Sequence, residues 1–224
     1  MFLGHFAVGL ASKKLAPRTN AALLIAAPVF ADLLWPFFLL LGWEKVRIDP
    51  GNTRFTPLDF IAYPWSHSLL MLAVWATIFA GIYYALTRYR TGAVVLWIGV
   101  VSHWLLDWIT HRPDMPLYPS GPRYGLGLWN SIAGTMFVEL AMFATGIWIY
   151  TRVTQPKDRI GRYALLSFVL VLLAIYVANV FSPPPPNVKA IIWTAILAEG
   201  IFLPWAWWFD HHRTIKEREI ATAV

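Results

Sequence analysis

Six apolar runs, each close to the twenty residues that a helix needs to cross a bilayer, divide this 224-residue chain into alternating greasy and basic segments. They lie at about 21–42, 67–87, 92–110, 128–151, 163–182 and 188–209. Hydrocarbon offers the backbone no hydrogen-bonding partner, so runs of this length must satisfy their own peptide groups as α-helices. The expected fold is therefore all-α: a polytopic membrane helix bundle of about six transmembrane spans. A short apolar helix at 1–16, with the sequence FLGHFAVGLASKKLA from Phe2, precedes them. It is too short to cross fully. Its basic pair, Lys13 and Lys14, follows the apolar stretch instead of preceding it, and no small-residue cleavage site is clear, so it reads as retained and not as a signal peptide.

Composition leaves little for a separate soluble domain, with 58% hydrophobic and 13% charged residues, and 1–224 reads as a single integral membrane domain without internal repeats. A formal charge of +6 could suggest nucleic acid, but the basic residues cluster between apolar runs. Membrane lipids are the expected partners, and nucleic acid is not. Twelve of the eighteen Lys and Arg fall in one set of alternate connections: Lys13, Lys14 and Arg18; Arg88 and Arg90; Arg152, Lys157, Arg159 and Arg162; Arg213, Lys216 and Arg218. The positive-inside rule makes that set cytoplasmic, together with the 210–224 tail, and puts the 43–66 and 111–127 loops outside. In the tail, His211 and His212 beside Asp210 and Arg213 read as a solvated face, and Trp35, Trp43, Trp205, Trp207 and Trp208 as an interface belt. Pro183 to Pro186 form a stiff connector. The chain has no Cys, which excludes disulfides and thiolate ligands.

Within the third run, His103, Asp107 and His111 recur every four residues and so line one slanting stripe of a helix. Ionisable groups at bilayer depth are costly and point to function. Counting a rise of ~1.5 Å per residue from the cytoplasmic ends puts His103 at roughly 17 Å, Asp32 at roughly 18 Å and Asp107 at roughly 23 Å. His111 and His67 come at roughly 28 and 30 Å, and His5 at roughly 15 Å. Groups from four segments thus converge in the outer half of the membrane, where Glu139 and Glu199 could join them.

His and Asp together suit zinc, with manganese or iron as further candidates. An ion would compensate the buried carboxylates, and it would acidify water toward neutral pH, which makes hydrolysis the natural chemistry. On this reading His5, Asp32, His67, His103 and Asp107 hold one or two divalent ions. Asp107, in a bridging role, His111, Glu139 and Asp59 are the candidate catalytic groups, and Arg112 and Arg123 could grip a phosphate. A lipid phosphate ester or phosphodiester fits the location. Two other classes stay open: a proton- or metal-coupled transporter, in which Glu139 and Glu199 would matter as much as His103, and a non-catalytic scaffold with a structural metal. An interhelical polar brace would also account for His103 and Asp107.

GHFAVGLA near the start, ADLLWP around Asp32, YPWSHS around His67 and SHWLLDWIT around His103 and Asp107 resemble, in that order, the YdjM-type family of LexA-regulated, inner-membrane, metal-dependent hydrolases. The resemblance runs over roughly 4–120. It implies a protein of the bacterial cytoplasmic membrane, distantly similar to the zinc phospholipase C and P1 nuclease group. The family pattern maps onto His5, Asp32, His67, His103 and Asp107. Where the family tends to PDxDHP this chain keeps only the first acid, and its HRGxTHS segment lacks the first His and the Arg. The family group's further His-x-x-x-Glu helix is matched here by Thr135 to Glu139, with the His absent.

Overall fold

A computed structural model describes residues 1–216; the last part of the 210–224 tail, Arg218 included, lies outside the described residues. The chain is a multi-pass membrane helix bundle. It opens with α1 (Leu3–Ala11), a half-length helix extended by one turn of 3-10 helix at Ser12–Lys14. The segment expected as a single span at 21–42 is instead two helices, α2 (Ala21–Ala26) and α3 (Phe30–Leu40). Pro28 explains the break. It has no N–H to offer the helix, and its ring excludes the helical carbonyl four residues back.

A hairpin of β1 (Lys45–Ile48) and β2 (Leu58–Ala62) follows, and a one-turn helix, α4 (Pro64–His67), leads into the first long span, α5 (Leu69–Thr87). The spans α6 (Arg90–Thr110), α7 (Ile132–Val153), α8 (Arg159–Phe181) and α9 (Val188–His211) complete the five helices long and apolar enough to cross a membrane. Two short ladders close the connections. β3 (Met115–Pro116) pairs with β4 (Arg123–Tyr124) in the loop after α6, and β5 (Thr154–Pro156) after α7 pairs with β6 (Arg213–Ile215).

The span starts are set by local chemistry. Side chains of Ser68, Ser131, Asp158 and Asn187 accept hydrogen bonds from the first-turn N–H groups of α5, α7, α8 and α9, which supplies partners where the helices have none of their own. Along α5 the exposed faces carry Leu70, Val74, Ile78 and Ile82, spaced by four. That stripe of apolar side chains is what a lipid-facing helix presents. Trp35, expected at the interface, is buried instead and packs on Phe60 and beside His67.

Short α1 packs closely on its neighbours because glycines, Gly9 of its own and Gly146 of α7, stand at the contacts. A Cβ on Gly146 of α7 would stand 2.6 Å from the Ala7 carbonyl oxygen, and one on Gly9 would stand 2.6 Å from the Ile25 Cα. Close backbone approach through small residues is the usual way membrane helices pack tightly. Here it carries His5, in the first turn of α1, to the middle of the bundle. Gly146→Ala is expected to force α1 away from α7 and lower stability by about 1–3 kcal/mol, read as the unfolding midpoint of the detergent-solubilised protein.

Candidate metal centre

Two overlapping groups of ligand-type side chains form where α1, α3, α4 and α6 meet. His5, His103 and Asp107 make one, and Asp32, His67 and His103 the other; within each group the ligand atoms lie within 4.8 Å of one another. All five expected ligands therefore come together, with His103 shared. The His5 Nε2 lies 3.0 Å from Asp107 Oδ1, and the His103 Nε2 lies 3.1 Å from Asp107 Oδ2. His67 Nε2 and Asp32 Oδ1 are 3.5 Å apart. The rings of His5 and His103 stack, 4.1 Å between centroids and 3° from parallel. The amino group of Met1 also lies against Asp107 Oδ1.

What orients the imidazoles is as informative as what they face. The break in the 21–42 segment leaves the Pro28 carbonyl without a helical donor, and His103 Nδ1 takes it at 2.7 Å. His67 is held through a relay. The Ser66 hydroxyl gives its one proton to Glu44 Oε2 at 2.6 Å, so the 2.6 Å contact with His67 Nδ1 requires the imidazole to be the donor. Glu44 Oε1 in turn accepts from the backbone N–H groups of Trp65 and Ser66, both at 2.8 Å. His111 Nδ1 meets Asp114 Oδ1 at 2.9 Å, again a donor facing a carboxylate.

In all three rings the Nδ1 proton is thus committed outward, which leaves the Nε2 lone pair turned inward. There the lone pairs of His103 and His111 look at Asp107, an acceptor, from 3.1 and 3.4 Å, and that of His67 looks at Asp32. The His103 Nε2 is buried and makes no hydrogen bond among the described residues, and neither does His5 Nδ1. The Met1 amino group meets only Asp107 Oδ1, so the contacts that His103 and His111 make with Asp107 Oδ2, and that His67 makes with Asp32, each call for a proton or a metal cation between them. The donor set of imidazole and carboxylate, with outward hydrogen bonds from Nδ1, fits a divalent ion of the zinc type.

The remaining expected site residues divide. His111 joins the cluster through Asp107. Glu139 is fully buried, but its Oε2 accepts from the backbone N–H groups of Phe2 and Gly4 at 2.9 and 3.4 Å, so it anchors the start of α1. Its Oε1 has no hydrogen-bond partner among the described residues. Asp59 lies in an ion network away from the ligands: Arg47 binds it at 2.8 Å and Arg112 closes on its other oxygen. Arg112 is further committed to Asn52 and, at 3.2 Å, to Asp114. Arg123 is exposed and donates to the Ile61 carbonyl at 3.1 Å. Glu199, partly buried on α9, belongs to neither ligand group.

Sequence reasoning missed Glu44, Ser66, Asp114, Tyr63 and the Pro28 carbonyl. Ser66 and Asp114 carried a signal, one and three residues from a histidine. Glu44 carried none, because its partner is twenty-odd residues away across the hairpin. Asp114 sits in the loop beyond α6, where burial pushes its carboxyl up; hydrogen bonds from His111, from Tyr63 at 2.7 Å and from Arg112 outweigh that and hold it below the usual carboxylate range. It therefore stays an acceptor for His111 at neutral pH.

A model of the YdjM inner membrane protein family matches residues 1–182, and the chain belongs to that family. No curated protein and no solved structure matches the chain. If the Glu44–Ser66 relay positions His67, Ser66→Ala should weaken zinc binding by about 10-fold in a chelator competition while the fold survives. An unchanged affinity would remove the relay from the site.

Proposed function

We propose that this protein is a membrane-embedded, divalent-metal-dependent hydrolase acting on a lipid phosphate ester or phosphodiester. The observation that supports the reading best is the inward convergence of imidazole nitrogens on Asp107 and Asp32, with His67, His103 and His111 each held from behind through Nδ1. His5, His103 and Asp107 would hold one ion, and Asp32, His67 and His103 would offer a second position, with zinc the best match to the donors. A divalent ion held there supplies Lewis acidity and brings the ionisation of water toward neutral pH.

The protein's own groups then divide the remaining work. The Asp32 side chain is 44% exposed, whereas those of His103 and Asp107 are 0% and 3% exposed, so the cluster is reached from the Asp32 side. His111, backed by Asp114, can hold a proton at Nε2 beside Asp107. Glu139 keeps α1, and with it His5, in register. Arg112 is tied to Asp59 and Asp114 and acts on the site through the loop; Arg123, exposed on β4, is the freer of the two to meet a substrate phosphate. By the distribution of Lys and Arg the cluster faces the extracytoplasmic half of the bacterial inner membrane, with the C-terminus cytoplasmic. Acyl chains and headgroups meet at that depth, which favours a lipid substrate.

Elemental analysis of protein purified in detergent without chelators tests the metal: a stoichiometric divalent ion is expected, and it should be lost in the His103→Ala, Asp107→Ala double variant. Metal-loaded protein should cleave a phospholipid or a chromogenic phosphodiester, with His103→Ala slowing turnover by about 100-fold or more. Retained metal without turnover of either would favour the structural-metal scaffold. Proteoliposome uptake abolished by Glu139→Gln or Glu199→Gln would favour transport.

A further inference from the structure

The opposite end of the bundle holds a second polar site. Helix α1 and its 3-10 extension lead from His5, at the ligand cluster, to Lys13, and there a cavity of about 280 Å³ is lined by Lys13, Arg18, Lys157, Asp210, His211 and Arg213 among others. Asp210, expected in a solvated tail, is buried in the last turn of α9. Its Oδ2 accepts from Lys13 Nζ at 2.8 Å and from the Ala21 N–H at 3.1 Å, and its Oδ1 from the Tyr150 hydroxyl at 2.6 Å. Lys13 also donates to the Thr19 carbonyl at 2.9 Å. The lysine and the aspartate cancel one another.

The cavity lining has four Lys and Arg, Lys13, Arg18, Lys157 and Arg213, against one carboxylate, Asp210, so most of the positive charge is uncompensated among the described residues. Arg213 is also buried, 8% exposed, yet its partners are neutral: Thr154 Oγ1 at 3.0 Å, the Gly161 carbonyl at 2.8 Å, the Thr154 carbonyl at 3.3 Å and the Tyr150 ring. Lys157 Nζ donates only to the His211 carbonyl, at 2.9 Å, and Arg18 lies over the Tyr89 ring. The nearby Asp158 is turned away, capping α8 through the Gly161 N–H and meeting His212 at 2.7 Å. A buried guanidinium that hydrogen-bonds no carboxylate among the described residues, two further cations and a cavity between them make an anion site.

Depth selects the anion. The walls come from the start of α2 and the connections that follow α7 and α9, so the cavity sits where the helices leave the hydrocarbon and lipid phosphates lie. We propose that this cavity binds the phosphate of an anionic lipid headgroup from the leaflet on its own side of the membrane. It shares no residue with the ligand cluster, and it stands whether or not that cluster is catalytic.

Native mass spectrometry of the full chain tests it, with phosphatidylglycerol, phosphatidylcholine and inorganic phosphate titrated separately. Phosphatidylglycerol should be retained and phosphatidylcholine should not. The Arg18→Gln, Lys157→Gln variant changes two exposed side chains, leaves the helix packing alone and should weaken phosphatidylglycerol binding by about 10-fold or more. Arg213→Gln should weaken it further, in protein first shown by its unfolding midpoint to be folded. Equal retention of both lipids, or phosphatidylglycerol binding unchanged in the double variant, overturns the proposal. Binding of inorganic phosphate with no lipid adduct identifies a soluble ligand and overturns the lipid assignment.

Discussion

Asp107 is a carboxylate buried in the third expected span, 2% exposed, with three histidine rings and the Met1 amino group turned toward it. An ion taken out of water must be compensated nearby; the Met1 amino group does this at Oδ1, whereas an imidazole that keeps its proton on the far nitrogen adds nothing at Oδ2. Much of the surrounding architecture follows from arranging that compensation. The half-length α1 brings His5 in, the broken α2–α3 segment brings Asp32 and the Pro28 carbonyl, and the one-turn α4 brings His67. Each is an irregular backbone element at membrane depth, tolerated because it is enclosed by protein.

The irregularities also serve orientation. A continuous helix through Pro28 would use its carbonyl internally, and His103 would lose the acceptor that fixes its tautomer. The hairpin β1–β2 stands beside Glu44, whose carboxylate binds the first turn of α4 and, through Ser66, fixes His67. On the far side of Asp107, Tyr63, Arg112 and Asp59 extend the Asp114 contact into the loops, so that His111 is held by a network reaching the surface. The proposed role in holding and tuning a cation would account for the cost of these polar groups in an apolar bundle.

How much of this could be read in the sequence depended on range. The spans were legible because a bilayer imposes one length on every crossing helix, and the His103–Asp107–His111 stripe because helical periodicity is local. Counting the rise along each helix brought His5, Asp32 and His103 to a similar depth, but left His67 roughly 12 Å farther out. The break at Pro28 was harder to read, because proline alone does not mark one here: Pro36 and Pro204 lie inside continuous helices. Glu44 was invisible because its partners are fixed by a hairpin whose register no periodicity reveals. Asp210 and Arg213, close to the chain's polar tail, read as solvated, whereas Asp210 is buried against Lys13, Ala21 and Tyr150 and Arg213 against Thr154 and Gly161, where β6 pairs with β5.

The account rests on imidazoles whose Nε2 lone pairs await a cation, and ring-nitrogen NMR addresses that directly. Long-range proton–nitrogen correlations on histidine-labelled protein in detergent would be recorded before and after addition of zinc. His67, His103 and His111 should show protonated Nδ1 throughout, and the Nε2 signals of His67 and His103 should move on zinc addition from the free-lone-pair region to the metal-ligated region. Nε2 resonances of His67 and His103 that remain where they were, or either of these two rings protonated at Nε2 in the zinc-free protein, would contradict it.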